Sequence, residues 1–211
     1  MRLILARHGE TAGNRERLAL GRLDVPLNDT GCLQARALAR SLQKAPLAAV
    51  YSSPLRRALE TAEAIAAPHS LEVCVDDGLA EMDVGEMDGH SIEEMQKLHG
   101  DFLRRWFTSE AATLRMPGGE CLEDVRERCC ESLARILDRH PEDTVCAVSH
   151  NFTIHVLLCH ALGLPLSEFR RLCHDLAAVS VLDFHGAHIA LVRLNDTCHL
   201  DEAGLSERPL Y

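Results

Sequence analysis

Short apolar runs alternate along this chain with stretches whose apolar residues recur every three or four positions. The apolar runs predict buried strands, which lie at residues 3–7, 48–51, 71–75, 143–149, 178–184 and 187–194. The stretches between them predict helices, which lie at residues 31–44, after Pro54, after the turn at 117–120 as far as Arg139, and at 153–162 and 166–172. Because strands alternate with helices, the pattern favours an α/β sandwich with a mostly parallel sheet.

Local signals predict where two of these helices begin and which side they bury. Asp29-Thr30-Gly31 offers an N-cap for the first long helix. The spacing of Leu33 and Leu38 within that helix places both on the face toward the core. Pro54 is expected near the first position of the next helix, where its missing N–H is tolerated.

Composition suits one globular domain that covers residues 1–211. Hydrophobic residues make up 46% and charged residues 26%, and no apolar run reaches the length of a membrane span. The apolar stretch at the N-terminus is too short for a signal peptide, so we expect a cytoplasmic protein. The net charge of −10 argues against nucleic acid as a partner. It allows a small phosphorylated metabolite, since a few arginines in a pocket can attract an anion.

Cysteine and histidine are frequent, but their spacing predicts neither a disulfide framework nor a metal site. The nine cysteines are odd in number and include no C-x-x-C, so most are expected to be small buried apolar residues. The densest histidine cluster, His150, His155 and His160, is spaced by five. Five helical residues turn through about 500°, so these side chains diverge. We therefore expect no metal and no cofactor.

The first apolar run ends abruptly in Arg7-His8-Gly9, so two side chains that can take part in catalysis lie at the end of a buried strand. Ligands of open α/β sheets bind at the carboxyl ends of strands. The imidazole of His8 can act as a nucleophile near neutral pH, and Arg7 offers donors that suit a phosphate group. Gly9 lets the main chain approach an anion closely. A lone histidine at a strand end is more often structural, so the case depends on further partners.

Those partners are present in sequence order and resemble the motifs of the histidine phosphatase superfamily, the phosphoglycerate-mutase-like enzymes. Arg7-His8-Gly9 is followed by Thr11 and Asn14. The later segments are Ser52–Ala62 with Arg57, Leu79–Gly85 with Glu81, and Ala147–His150. The resemblance spans about residues 1–200. It implies a three-layer α/β/α sandwich with a mixed, mostly parallel sheet and a small helical insertion over the pocket.

The resemblance also implies a role for each of these residues. His8 would attack phosphorus and form a phosphohistidine, and Glu81 would act as the general acid and base. Arg7, Arg57 and His150 would hold the three phosphoryl oxygens, while Arg56 would be a surface charge. The residues expected to border or support the substrate are Asn14, Gly21 and Asn151. Two positions depart from the family pattern, since Asn151 replaces a common glycine and Met87-Asp88-Gly89 replaces an aromatic-Glu-Gly sequence.

The chain resembles a phosphatase more than a cofactor-dependent phosphoglycerate mutase. Thr11 and Gly13 stand where those mutases have Ser and Trp, and the chain lacks their longer insertions. Among the phosphatases, it is most similar to the α-ribazole phosphatase-like and metal-independent phosphoserine phosphatase-like members. The mutase remains the alternative within the family. A non-catalytic phospho-ligand-binding module is the alternative of another class, although such a module would be expected to lose the nucleophile or an arginine.

Two regions have weaker patterns. Residues 76–119 are expected to form the helical insertion over the pocket, and they contain Phe102, Trp106 and Phe107. These three rings could equally belong to the core. The polar tail, residues 195–211, is expected to be loosely held, with His199 near the pocket mouth through the same resemblance. The final strands could pair across a homodimer.

Overall fold

A six-stranded mixed sheet forms the centre of the protein. The computed structural model describes residues 1–186 and 188–205. The strands are β1 (Arg2–Arg7), β2 (Leu47–Ser52), β3 (Val73–Val75), β4 (Thr144–Ser149), β5 (Val179–His185) and β6 (His188–Asp196). Their order is β3-β2-β4-β1-β5-β6. All neighbours from β3 to β1 are parallel, and β5 alone runs against both of its neighbours.

The helices cover both faces of this sheet. They are α1 (Ala12–Arg15), α2 (Asp29–Leu42), α3 (Arg56–Ala66), α4 (Ile92–Trp106), α5 (Leu122–Arg139), α6 (Asn151–Leu162) and α7 (Cys198–Glu202). Side chains of β1 alternate between the faces: Ile4 packs in the cluster that includes Leu38 of α2, and Leu3 and Leu5 pack in the cluster that includes Leu133 of α5. The α/β fold with a mostly parallel mixed sheet is therefore confirmed.

Parallel pairing at the centre of the sheet brings three chain segments together at the carboxyl ends of the strands. β4 lies between β1 and β2, with Arg7 opposite Ser149 and Ser52 opposite Val148. The residues that follow these strands, His8, Ser53 and His150, therefore emerge side by side. Ligands of open α/β sheets bind at these carboxyl ends.

Several predicted boundaries differ from the structure by a few residues. The N-cap of α2 is Asn28, whose side chain accepts from the N–H of Gly31, instead of the predicted Asp29-Thr30-Gly31. The α3 helix begins at Arg56, two residues after Pro54. The last predicted helix, 166–172, is a 3-10 helix over Leu166–Arg171. The predicted core residue Leu33 is 45% exposed, because the buried face of α2 is made mainly of alanines around Leu38.

The aromatic residues at the end of α4 contribute to the core. The end of α4 buries Trp106, which stacks on Phe102 and meets Phe152 at the start of α6 edge-on. Phe107 is 71% exposed and lies outside the core. Two of the three rings therefore belong to the core, and the placement of residues 76–119 over the pocket stays a prediction.

The tail is more firmly attached than predicted as far as residue 205. Asn195 donates its N–H to the hydroxyl of Ser180, and Leu200 in α7 is buried against α2. The expectation of a loosely held tail is wrong for this part, and residues 206–211 lie outside the described residues. The prediction that most cysteines are buried is also wrong: all nine are free thiols, and four of them are buried.

No helix among the described residues is long and apolar enough to cross a membrane.

The α2 helix offers a matched pair for testing the core. Leu38 of α2 is fully buried against α3 and the sheet, whereas Leu33 on the same helix is largely exposed. We expect Leu38→Ala to lower the free energy of unfolding by about 2–5 kcal/mol, because it removes buried methyl groups and leaves a cavity. Leu33→Ala should change it by less than about 0.5 kcal/mol. Denaturant titration measures both, and equal losses would contradict the assigned face.

Candidate active site

Two arginines, two histidines and a glutamate converge at the carboxyl ends of the central strands β1, β2 and β4. The ring centroids of His8 and His150 lie 5.0 Å apart. Arg57 and Glu81 are buried, as are both histidines, with at most 3% of each residue exposed. Arg7, the last residue of β1, is partly buried and is coupled electrostatically to Glu81 and Arg57. The structure thus brings together all five predicted catalytic residues.

Main-chain carbonyls hold the Arg57 guanidinium in place. Its two terminal nitrogens donate to the carbonyls of Gly21 and Leu23, each at 2.8 Å. Its Nε is buried without a hydrogen-bond partner among the described residues. Burial lowers the pKa of Arg57, while nearby Glu81 raises it. The carbonyls have no net charge, so the positive charge of Arg57 remains available to an anion.

The loop that supplies those carbonyls is itself fixed from the opposite side. The Asp88 carboxylate accepts the N–H of Gly21 at 2.9 Å and that of Leu23 at 2.7 Å. A Cβ on Gly21 would lie 2.8 Å from the carbonyl oxygen of Met82, so only glycine fits. The main chain of Gly21 is therefore engaged by Arg57 and Asp88. Its predicted contact with substrate stays a prediction.

Arg7 is held in the same way by a different loop. One terminal nitrogen donates to the carbonyl of His174 at 2.6 Å and to Oδ1 of Asn151 at 3.1 Å. Its Nε is buried without a partner in the described part of the chain. Burial lowers the pKa of Arg7. Asn151 was predicted to bind substrate, and here its side chain orients Arg7.

A main-chain contact decides the tautomer of His8. Its Nδ1 lies 2.7 Å from the carbonyl oxygen of Gly9. Because a carbonyl only accepts, Nδ1 carries the hydrogen and Nε2 has the free lone pair. Burial and the nearby charges of Arg57 and Arg7 hold the pKa of His8 well below 6.5. The side chain is therefore an uncharged imidazole with a free lone pair on Nε2.

The same forces keep His150 uncharged. Burial lowers its pKa well below 6.5, and Arg57 lowers it further. Its Nε2 lies 2.7 Å from the hydroxyl of Ser53, and its Nδ1 is buried without a partner among the described residues. The pocket thus has two arginine cations and two neutral imidazoles, which together suit a phosphoryl group.

Glu81 lies against the N-terminus of α6. Its carboxylate accepts the N–H of Met82 at 2.8 Å and those of Phe152 and Thr153 at 3.3 Å. These donors and the two arginines lower its pKa, but burial raises it more, so the net pKa lies above its usual 4.5. A carboxyl group with a raised pKa is suited to give and take a proton.

The remaining predicted residues lie around this group. Asn14 accepts the N–H and hydroxyl of Thr11 through Oδ1, which leaves its amide NH₂ as the donor able to support the pocket. Arg56 is exposed and pairs with Glu60, as predicted for a surface charge. Nε2 of His199 lies 3.0 Å from the carbonyl oxygen of Ala177, which precedes β5, and the predicted place of His199 at the pocket mouth stays a prediction.

Arg128, on α5, is a residue of this region that sequence analysis missed. It donates to the carbonyls of Gly78, Ala80 and Glu81, at 3.0, 2.7 and 3.1 Å, and it pairs with Glu120. Arg128 therefore anchors the loop that contains Glu81. Its sequence signal was weak, since an arginine beside the apolar stripe of a helix is ordinarily a surface charge.

The described residues, 1–186 and 188–205, include no group of three or more histidine, cysteine, aspartate or glutamate side chains placed to hold a metal ion. Positive charge at this edge comes from arginines.

Comparison with known proteins agrees with this geometry. The family model of the histidine phosphatase superfamily (branch 1) matches residues 3–197. Phosphoserine phosphatase 1 of Hydrogenobacter thermophilus is 36% identical over 202 residues, which cover 96% of this chain and 95% of that protein.

Two solved structures share the fold. The α-ribazole phosphatase from Shigella flexneri has a TM-score of 0.85 and 26% identity, covering 93% of this chain and 96% of that one. A mutant of the phosphoserine phosphatase from Entamoeba histolytica, in complex with phosphoserine, has a TM-score of 0.84 and 28% identity, covering 94% of this chain and 98% of that one. Two arginines placed beside two histidines, a family model that covers nearly the whole chain and these relatives lead to one conclusion: the chain is a phosphatase that belongs to the histidine phosphatase superfamily.

Proposed function

We propose that this phosphatase hydrolyses a small phosphomonoester, without a metal ion, through a phosphohistidine on Nε2 of His8. The observation that carries the proposal is the uncharged state and fixed tautomer of His8. Its Nδ1 is bonded to the carbonyl of Gly9, and Arg7 and Arg57 lie close enough to lower its pKa. A nucleophile directed at phosphorus needs this lone pair and these cations together.

The first half of the reaction transfers the phosphoryl group to the enzyme. Nε2 of His8 forms a bond to phosphorus as the bond from phosphorus to the substrate oxygen breaks. Arg7, Arg57 and His150 donate to the three phosphoryl oxygens, and these donors do the work that a metal ion does in other phosphoryl-transfer enzymes. Glu81 gives its proton to the departing oxygen, which leaves as an alcohol.

The second half releases inorganic phosphate. Glu81, now a carboxylate, takes a proton from a water molecule as that water attacks the phosphorus of the phosphohistidine. The nitrogen–phosphorus bond breaks, and His8 regains its lone pair. The main-chain donors at the start of α6 stabilise the carboxylate between the two steps, while burial favours its reprotonation.

The substrate that we propose is a phosphorylated metabolite of about the size of phosphoserine. Support comes from the relative named phosphoserine phosphatase 1 and from the solved neighbour that contains phosphoserine.

A trapping experiment tests the phosphohistidine. With ³²P-labelled phosphoserine, acid-labile and base-stable label should appear on the wild-type protein and be absent from His8→Ala. Hydrolysis of para-nitrophenyl phosphate by His8→Ala should fall by about 10⁴-fold or more. Wild-type activity should survive EDTA, because the cations of the site are arginines.

Three outcomes would contradict this proposal. They are activity that EDTA abolishes, activity that survives His8→Ala, and interconversion of 2- and 3-phosphoglycerate with bisphosphoglycerate as the main reaction. An exposed histidine, His160, provides the matched control, and His160→Ala should keep full activity.

The pH dependence tests the role of Glu81. The rate should fall as pH drops through the pKa of His8, well below 6.5, because the imidazole must be neutral to attack. It should also fall as pH rises through the pKa of Glu81, above 4.5, because the acid must be protonated. Glu81→Gln should remove this alkaline limb and slow hydrolysis of phosphoserine by about 10²–10⁴-fold.

Para-nitrophenyl phosphate serves as the internal control, since its leaving group needs little protonation. Glu81→Gln should therefore slow this substrate much less than phosphoserine. The ratio of variant to wild-type rates cancels the ionisation of the substrate itself. Equal losses on both substrates, with an unchanged alkaline limb, would assign Glu81 a structural role only.

Two arginines on α5 test how the loop that contains Glu81 is anchored. Arg128→Ala should lower kcat for phosphoserine by about 10–100-fold, because it frees the carbonyls that position Glu81. Arg126→Ala should leave kcat unchanged, since Arg126 is exposed and pairs only with Glu123 among the described residues. Steady-state kinetics on folded variants measures the difference, and equal effects would contradict this role for Arg128.

A further inference from the structure

The hydroxyl of Ser53 contacts the second histidine of the site. Its Oγ lies 2.7 Å from Nε2 of His150, and both side chains are fully buried. The two residues are 97 positions apart in the chain. They meet because β2 and β4 are parallel neighbours and the N–H of Ser53 donates to the carbonyl of Val148. No step of the proposed reaction uses this hydroxyl.

The position of the hydrogen between the two groups follows from what each atom can donate or accept. Ser53 Oγ already accepts the N–H of Leu55 at 3.2 Å. A hydroxyl has one hydrogen to donate, and Nε2 of His150 is its acceptor among the described residues. If Nε2 donated instead, the hydroxyl would accept twice and its own buried hydrogen would have no acceptor. Both groups are satisfied only when Ser53 donates and Nε2 accepts.

This arrangement determines what His150 presents to the pocket. A neutral imidazole has one hydrogen, so a lone pair on Nε2 requires the hydrogen to be on Nδ1. Nδ1 is buried without a partner in the described part of the chain, and its ring lies 5.0 Å from that of His8. In the opposite tautomer, Nδ1 would turn a lone pair toward the phosphoryl oxygens and repel them.

A second proton cannot correct a wrong tautomer here. Burial and Arg57 hold the pKa of His150 well below 6.5, so the ring is neutral near neutral pH in the substrate-free protein. In a more exposed site, protonation would make both ring nitrogens donors, and no partner would be needed.

We propose that Ser53 is a positioning residue that holds His150 in the Nδ1–H tautomer, so that Nδ1 donates to a phosphoryl oxygen bound at His8. The inference rests on the proposed function for the identity of that acceptor. The tautomer itself is a property of the protein without substrate.

Nitrogen NMR of the ¹⁵N-histidine-labelled, substrate-free protein tests the tautomer directly. The wild-type protein should show a protonated Nδ1 and an unprotonated Nε2 for His150, assigned by the loss of these signals in His150→Gln. Ser53→Ala should shift the population toward the Nε2–H tautomer, and Ser53→Thr, which keeps the hydroxyl, should restore the wild-type pattern. Ser41→Ala is the control, because the Ser41 hydroxyl donates to the main-chain carbonyl of Leu38 within α2.

Activity links the tautomer to function. Ser53→Ala should lower kcat/KM for phosphoserine by about tenfold or more, the scale of one lost hydrogen bond to a charged group, and Ser53→Thr should recover most of it. A wild-type spectrum with the hydrogen on Nε2 would overturn the proposal, whether or not Ser53→Ala folds. So would an unchanged tautomer in a folded Ser53→Ala that has lost activity.

The outcome is separable from that of the proposed function. If His8→Ala kept its activity while the wild-type spectrum showed Nδ1–H, the phosphohistidine would be wrong and the tautomer assignment would stand. If label were trapped on His8 while the spectrum showed Nε2–H, the assignment of Ser53 alone would fail.

Discussion

Two guanidinium groups buried close together constrain this site more than any other interaction. Burial lowers the pKa of both Arg7 and Arg57, and the charge of Arg57 lowers that of Arg7 further. Removing such groups from water is unfavourable unless their N–H groups find acceptors. The loops that contain Gly21 and His174 supply carbonyl oxygens for this purpose. Because a carbonyl satisfies a donor without cancelling its charge, the pair is stabilised and still attracts an anion.

The two positive charges determine the protonation states of the other groups of the site. Positive neighbours and burial keep both histidines neutral, so one can supply a lone pair and the other a hydrogen. The same burial would make an unsupported carboxylate unfavourable, and the N–H groups at the start of α6 compensate for it at Glu81. Each functional group therefore has one side fixed by the protein and another side available for chemistry.

The sequence was informative wherever a local pattern decides the structure. The end of the first strand placed Arg7 and His8, and the order of motifs correctly separated Arg57 from its exposed neighbour Arg56. Contacts between distant parts of the chain were not predictable in this way. The bond from Arg128 to the Glu81 carbonyl spans 47 residues, and the carboxylate of Asp88 reaches 67 residues to Gly21. Such contacts depend on which helix faces which loop, and residue spacing does not encode that. The error at Leu33 has a related cause, because the width of a buried helical face depends on its neighbours.

The use of carbonyls in place of carboxylates around the arginines also affects how a substrate reaches them. The protein has a net charge of −10, so its exterior repels an approaching dianion. At physiological ionic strength the Debye length is about 8 Å, and the attraction of two recessed guanidiniums extends little beyond the rim of the pocket. Long-range steering therefore contributes little to the encounter. Selection of a phosphorylated molecule takes place at contact, where water has been excluded and the electric field of the pocket is strongest.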